Sequence, residues 1–280
     1  MSRWSAGSVQ TNGITMHYYR SGGDKPPLVL AHGLTDNGLC WKPIARVLAE
    51  TYDCIMPDAR GHGFSSAPDS GYTNKEHAAD YAGLIEALGL ERPAILGHSM
   101  GGGTATQLAA DFPNLVRGAL LEDPPWRARP SNEGSLETND RSDYWQNYVL
   151  EINGLTIGAL IDKGRAERTA WPEAEYDGWS AAKQQVDRKA TDYARVSSVP
   201  WWEKVPQIQC PTLLIIADPE KGAIVDRATA DTVAALNKKV QVVHIPGAGH
   251  NIRREQPARY LAVVTDFLAQ LYSMVYSTRA

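Results

Sequence analysis

The chain has 280 residues, 43% hydrophobic and 21% charged, which is enough to bury a full core and suits one large domain carrying an insertion. A net charge of -4, with both signs spread along the chain, offers no basic stripe for nucleic acid and no polybasic anchor for a membrane. The separated cysteines Cys40, Cys54 and Cys210 give neither a disulfide framework nor a metal spacing, no apolar run reaches membrane-spanning length, and the opening MSRWSAGSVQ lacks a secretion signal, so a cytoplasmic protein without metal or other cofactor is expected.

Short aliphatic and β-branched runs alternate with segments of helical spacing, the pattern of an α/β protein with a doubly wound, mostly parallel sheet. In chain order the first strands are predicted at Ile14 to Arg20 and Leu28 to Ala31, followed by a helix over Trp41 to Glu50. A strand at Asp53 to Pro57, a helix over Lys75 to Leu88, a strand at Ala94 to Gly97, a helix over Gly102 to Asp111 and a strand at Gly118 to Glu122 come next. The strand signal then lapses between Pro124 and Gln209, where polar, Trp-rich helices are predicted over Asp143 to Asn153 and Ala181 to Ala194. A stretch this long is too large for a structureless loop, and its aromatics need a surface to cover. It reads as a helical cap, residues 124–209, inserted between two strands of a core formed by 1–123 and 210–280. The sheet resumes at Thr212 to Ala217 and Val240 to Ile245, with helices over Ala228 to Leu236 and Gln256 to Met274. The last helix sets Tyr260, Val263, Val264, Phe267, Leu268 and Leu271 on one face, which should pack on the sheet.

The stretch Ala94 to Gly103, AILGHSMGGG, carries the chemistry. It places the G-x-S-x-G pattern, Gly97 to Gly101, between a strand and a helix, the context that pattern requires. So sharp a turn lifts the Ser99 hydroxyl out of the sheet edge and aims the first free amides of the helix at the same point, where a developing oxyanion would be stabilised. A serine hydroxyl is too weak an acid to attack an acyl carbon unaided, so it needs an imidazole, and the imidazole needs a carboxylate to fix its tautomer. His250 suits the role of base, because it stands in a glycine-flanked loop after an apolar strand. His32 and His62 lie in turn motifs that favour buried hydrogen bonding, His17, His77 and His244 sit on strands or helices, and His98 is expected to point away from Ser99.

These residues resemble the α/β-hydrolase family, with matches from about Asn12 to Phe267 outside the cap. The resemblance is carried by His32-Gly33-Leu34, by Asp58-Ala59-Arg60-Gly61-His62-Gly63-Phe64-Ser65, by the turn Gly97 to Gly101, and by Gly247-Ala248-Gly249-His250 with Glu255-Gln256-Pro257. It implies Ser99 as nucleophile, His250 as base and an oxyanion hole from the backbone amides of Met100 and Leu34. The family's usual acid is an Asp in the loop after the strand corresponding to Thr212 to Ala217; here Glu220 holds that place and Asp218 comes two residues early, so either needs an altered loop path to reach the histidine. A second location, the end of the preceding strand, is used by relatives that include lactone hydrolases of the zearalenone type, and here it holds Asp123. Asp123 is taken first, Asp218 second and Glu220 third.

A Ser-His-acid site under an aromatic cap favours hydrolysis of an ester or lactone of a small, largely apolar molecule, with Trp126 and Trp202 expected at the substrate wall. A serine in the turn argues against dehalogenase and epoxide hydrolase chemistry, which need a carboxylate nucleophile. Carbon-carbon bond hydrolysis or a lyase reaction on the same triad, and a ligand receptor that retains the triad, are the alternatives.

Overall fold

In the computed structural model, residues 4–126, 138–196 and 200–277 are described. Eight strands form one sheet: β1 (Ser5–Thr11), β2 (Ile14–Arg20), β3 (Pro27–Ala31), β4 (Asp53–Pro57), β5 (Ala94–His98), β6 (Gly118–Glu122), β7 (Thr212–Ile216) and β8 (Val240–His244). Their spatial order is β1-β2-β4-β3-β5-β6-β7-β8, with β1, β2 and β4 paired antiparallel and every pair from β4 to β8 parallel. The sheet is flanked by α1 (Lys42–Leu48), α2 (Asn74–Ala87), α3 (Met100–Asp111), the helices of the β6 to β7 segment, α9 (Arg227–Leu236), α10 (Ile252–Glu255) and α11 (Pro257–Ser277). The segment between β6 and β7 holds α4 (Thr138–Asn153), α5 (Ile157–Glu167), α6 (Tyr176–Gln184), α7 (Asp192–Val196) and α8 (Trp201–Lys204).

The period-two alternation of a strand decides which face each residue joins. Val29, Ala31, Ile95, Ala119, Leu121, Leu214 and Ile216 pack with Tyr81, Leu84 and Ile85 of α2, Leu108 of α3 and Val233 of α9. The intervening Leu28, Leu30, Leu96, Leu120, Leu213 and Ile215 meet Ile44 and Leu48 of α1 and Tyr260, Val264, Phe267 and Leu268 of α11. Both faces of the central strands are therefore covered, and their continuous apolar runs follow from that.

A third cluster joins Val149, Ile152, Leu160, Trp171, Tyr176 and Trp179 of the β6 to β7 segment to Ala59, Tyr72 and Met100, residues just past the ends of β4 and β5 or in the loop before α2. The two ends of the segment pack differently: Trp126, Trp201, Val205 and Ile208 belong to the sheet-face cluster with α2, α3 and α9. Parts of the expected cap, 127–137 and 197–199, lie outside the described residues.

Two expectations are corrected. The helix expected over Ala181 to Ala194 is broken: α6 stops at Gln184, and a tight turn at Arg188–Thr191 precedes α7. Asp187 causes the break, because its carboxylate accepts from the Lys189 amide and starts a new helical segment. The strand β1 was not expected at all, since SAGSVQT is a mostly exposed edge with little apolar content. Its signal was the turn Asn12-Gly13, both with positive φ (42° and 78°), the geometry of a tight hairpin.

Candidate active site

The site forms where β3, β5, β6 and β8 end on one edge of the sheet. Ser99 follows β5 with φ 52° and ψ -118°, a left-handed backbone that an L residue holds only when its surroundings impose it. The surroundings here are glycines. A Cβ on Gly97 would run into the carbonyl oxygen of Gly101, and a Cβ on Gly101 into that of Ala31, so no other residue lets β3, β5 and α3 approach this closely. The Ser99 amide donates to the Glu122 carbonyl (3.0 Å), and the Asp123 amide to that of Ile215 (3.0 Å), which ties the ends of β5, β6 and β7 together.

Asp123 is fully buried and also left-handed, at φ 38°. Its carboxylate accepts from the Ile224 amide (3.0 and 2.9 Å) and the Val225 amide (2.9 Å), and stands 2.6 Å from His250 Nδ1. With Nδ1–H donated to Asp123, Nε2 is the free, basic nitrogen of His250. The other two carboxylates are engaged elsewhere or exposed. Asp218 binds His244 Nε2 (2.7 Å) and the Gly247 amide (2.7 Å), while Glu220 is exposed on the loop after β7. The loop of His250 is held by Glu255, which accepts from the amides of Gly249 (2.7 Å) and Asn251 (3.3 Å).

His98 takes a part that the sequence reading missed. Its ring lies 4.7 Å from that of His250, and its Nε2–H donates to the His250 carbonyl at 2.9 Å. Burial, helped by the neighbouring Arg253, holds this imidazole well below its ordinary pKa, so it is neutral. Adjacency to Ser99 was visible in the sequence. The fold alone brings His250, 152 residues away, to the same point.

The loop His32 to Asp36 runs directly against the turn: a Cβ on Gly33 would stand 3.3 Å from Ser99 Cβ and 2.9 Å from His98 Nδ1. The three successive peptides from Gly33 to Asp36 are each pinned on at least one side. The Gly33 carbonyl accepts from His32 Nδ1 (2.8 Å) and the Asp36 amide (3.1 Å), the Thr35 amide donates to His62 Nε2 (3.3 Å), and the Thr35 carbonyl accepts from Lys183 Nζ (2.7 Å). His62 is buried and neutral, its pKa pushed down to about 3 by burial and by His32. Leu34 packs against the third cluster, of which Met100 is a member.

Beneath the loop lies a buried charge layer. Asp36 meets Lys183 (3.2 Å), Arg253 (3.2 Å) and Arg254 (2.9 Å); Glu122 meets Arg253 through its backbone amide (2.9 Å) and guanidinium (3.4 Å); Glu175 meets Arg254 (3.1 Å). Burial alone would push the Asp36 carboxyl up, but Arg254, Lys183 and Arg253 outweigh it and hold it well below the usual range. Glu122 goes the other way, because burial exceeds what Arg253 returns. The guanidinium groups also lie on aromatic faces, Arg253 on Trp41 (4.3 Å) and Arg254 on Trp171 (4.5 Å).

The two tryptophans expected at the substrate wall differ in their surroundings. Trp126 has no exposed surface, because it stacks on Trp201 at 5.9 Å inside the sheet-face cluster, and this packing corrects its expected role. Trp202 is half-buried and looks into a groove lined by Asp226, Thr229 and Leu236 of the α9 side.

Comparison with known proteins settles the family. Residues 26–253 match the model of the alpha/beta hydrolase fold. The chain belongs to the alpha/beta hydrolase family. Among its relatives, N-formylmaleamate deformylase of Pseudomonas putida is 30% identical over 270 residues, covering 94% of this chain and 96% of that one. The 2-(acetamidomethylene)succinate hydrolase of Mesorhizobium japonicum is 27% identical over 274 residues, covering 93% and 94%. Solved structures share the hydrolase fold: E-2-(acetamidomethylene)succinate hydrolase superposes with a TM-score of 0.81 at 23% identity (95% and 100% covered), and an enol-lactonase from Burkholderia xenovorans with 0.73 at 22% (94% and 100%). Among the described residues of this hydrolase, no helix is long and apolar enough to cross a membrane, and no cluster of His, Cys, Asp and Glu is arranged to hold a metal ion.

Proposed function

We propose that this hydrolase cleaves a carboxylic acyl bond of a small molecule, in an ester, a lactone or an N-acyl compound, through an acyl-enzyme on Ser99. The observation that carries the reading is the 2.6 Å contact of His250 with Asp123, on a loop whose carbonyl is held by the neighbour of Ser99. His250 Nε2 takes the Ser99 proton as the hydroxyl attacks the acyl carbon, and Asp123 stabilises the imidazolium that forms. The oxyanion develops against the amides of Met100 and Leu34. Collapse of the tetrahedral intermediate expels the alcohol or amine with the proton held by His250, and water, activated by the same imidazole, then releases the acid and frees Ser99. The helices between β6 and β7 act as a cap that excludes bulk water and selects the substrate, in a cytoplasmic protein that needs no cofactor.

The names of the deformylase and the succinate hydrolase, each matched over more than nine-tenths of the chain, favour a narrower reading, an N-acyl bond in a molecule that also bears a carboxylate. Arg168 supports it. Its guanidinium lies over Trp171 (4.9 Å) and Trp179 (5.7 Å), its buried Nε is unpaired, and it makes no ion pair with a carboxylate among the described residues. The test is multiple-turnover hydrolysis of matched ester and N-acyl substrates, each with and without a carboxylate, by wild type and Ser99→Ala. Loss of turnover on every substrate in Ser99→Ala is expected, and turnover that survives the substitution removes the proposal. A preference for the carboxylate-bearing N-acyl compound that Arg168→Gln abolishes through KM is the outcome the narrower reading requires.

A further inference from the structure

Thr35 is β-branched and held at φ 67°, a backbone region that such a residue avoids. A conformation of this kind costs on the order of 1–3 kcal/mol and persists only where several contacts impose it. Two of the pins on its loop, His32 and His62, come from the sheet edge itself. The third comes from 148 residues away, on α6 of the segment between β6 and β7: Lys183 Nζ donates to the Thr35 carbonyl (2.7 Å) and hydroxyl (2.8 Å) and to Asp36 Oδ1 (3.2 Å). Its side chain is buried, with the Trp179 ring 5.1 Å from the ammonium. All three protons are committed. Lys183 therefore has no donor left for a substrate and no free position as an acid or base. Its chemistry is spent on the backbone of the loop that carries the Leu34 amide.

We propose that Lys183 is a positioning residue for the oxyanion amide of Leu34, so that the helical segment between β6 and β7 supplies part of the catalytic geometry and not the substrate wall alone. The inference rests on the acyl-transfer reading above. Without the ammonium, the left-handed Thr35 relaxes and takes the adjoining Leu34 peptide with it, so the N–H is no longer aimed at the developing oxyanion. Asp36 keeps two cationic partners, Arg253 and Arg254, so loss of Lys183 leaves no bare buried carboxylate.

The experiment compares an oxygen ester with its thionoester, whose developing sulfur anion is a poor hydrogen-bond acceptor and gains little from an oxyanion hole. Lys183→Met is expected to lower kcat on the oxygen ester by about 10- to 100-fold, less than outright loss of an oxyanion donor, with KM little changed. The ratio of oxygen-ester to thionoester kcat should fall by the same factor, and Lys183→Arg should restore part of it. A merely structural role would slow both substrates alike. If Lys183→Met does not fold, Lys183→Gln, which keeps one donor for the Thr35 carbonyl, carries the test, with a ratio below that of wild type expected. Wild-type kcat, or a fall in kcat with an unchanged ratio, overturns the inference. Ser99→Ala is assayed beside it: ester turnover independent of Ser99 sinks the acyl-transfer reading, whereas Ser99-dependent turnover with an indifferent Lys183 sinks this inference alone.

Discussion

Asp123 shows what a single residue can and cannot reveal in a sequence. Its place was legible, because a carboxylate after an apolar strand and before Pro124-Pro125 stands at the edge where the serine emerges. What distinguished it from Asp218 was not legible: the Ile224 and Val225 amides that receive it come from a loop about a hundred residues on, and His244, which captures Asp218, is a strand residue. Asp123→Asn is expected to lower turnover by up to about ten-thousandfold with little effect on substrate binding, because an amide there would hold the wrong imidazole tautomer against Ser99. Asp218→Asn and Glu220→Gln, assayed on the same substrate, should stay within a few-fold of wild type, and the opposite ranking would move the acid to the later loop. Trp126 shows the reverse problem, since an aromatic in the core and one lining a pocket look alike in sequence. Given its complete burial against Trp201, Trp126→Ala should lower unfolding free energy by about 3–5 kcal/mol in a urea titration. A stable variant with altered substrate choice would return it to the pocket.

At the level of elements, the central strands were readable because burial on both faces makes them continuous apolar runs. The edge strand β1 and the broken helices around Asp187 were not, since neither carries a sustained period. The turn into α3 was readable for a different reason: close approach of three backbones tolerates one residue type at fixed positions. That claim can be checked by moving one methyl group. Gly101→Ala drives a Cβ into the Ala31 carbonyl at the join of β3 and α3, and is expected to cost more than about 4 kcal/mol or prevent folding. Gly102→Ala meets Pro124 at 3.1 Å and the Gly97 carbonyl oxygen at 3.3 Å, contacts that a shift of a few tenths of an ångström relieves, and should remain folded with a midpoint much closer to wild type. Comparable thermal midpoints for the two would mean that the turn yields more readily than its geometry implies. The partners of Lys183 were beyond reach of the sequence, because nothing local to Thr35 or Lys183 records a contact between them.

The molecule as a whole carries four buried histidines, His32, His62, His77 and His98, each held below its ordinary pKa chiefly by burial. In the unfolded chain each takes a proton near pH 6.5, while in the folded protein it does so only at lower pH, so acid favours the unfolded state. Stability should therefore be fully present above pH 6.5 and fall as pH drops from 6.5 toward 5, by up to about 1.4 kcal/mol per pH unit for each histidine. Glu122 and Asp80, whose carboxyls burial pushes up, oppose this only as pH approaches their own range. Urea midpoints at pH 7.5, 6.5 and 5.5 measure the slope, and a flat profile would show that these imidazoles are not buried in neutral form. The charge layer beneath the active site answers to a different variable. Lys183, Arg253 and Arg254 face Asp36, Glu122 and Glu175, three cations against three carboxylates, all in the interior. Dissolved ions weaken attraction only where they can stand between the partners, so an exposed pair such as Arg227 and Asp231 fades in molar salt whereas this one does not. This layer is therefore expected to hold in brine as in dilute buffer, so that a salt dependence of the kinetics would point to the approach of substrate and not to loss of the scaffold beneath the site.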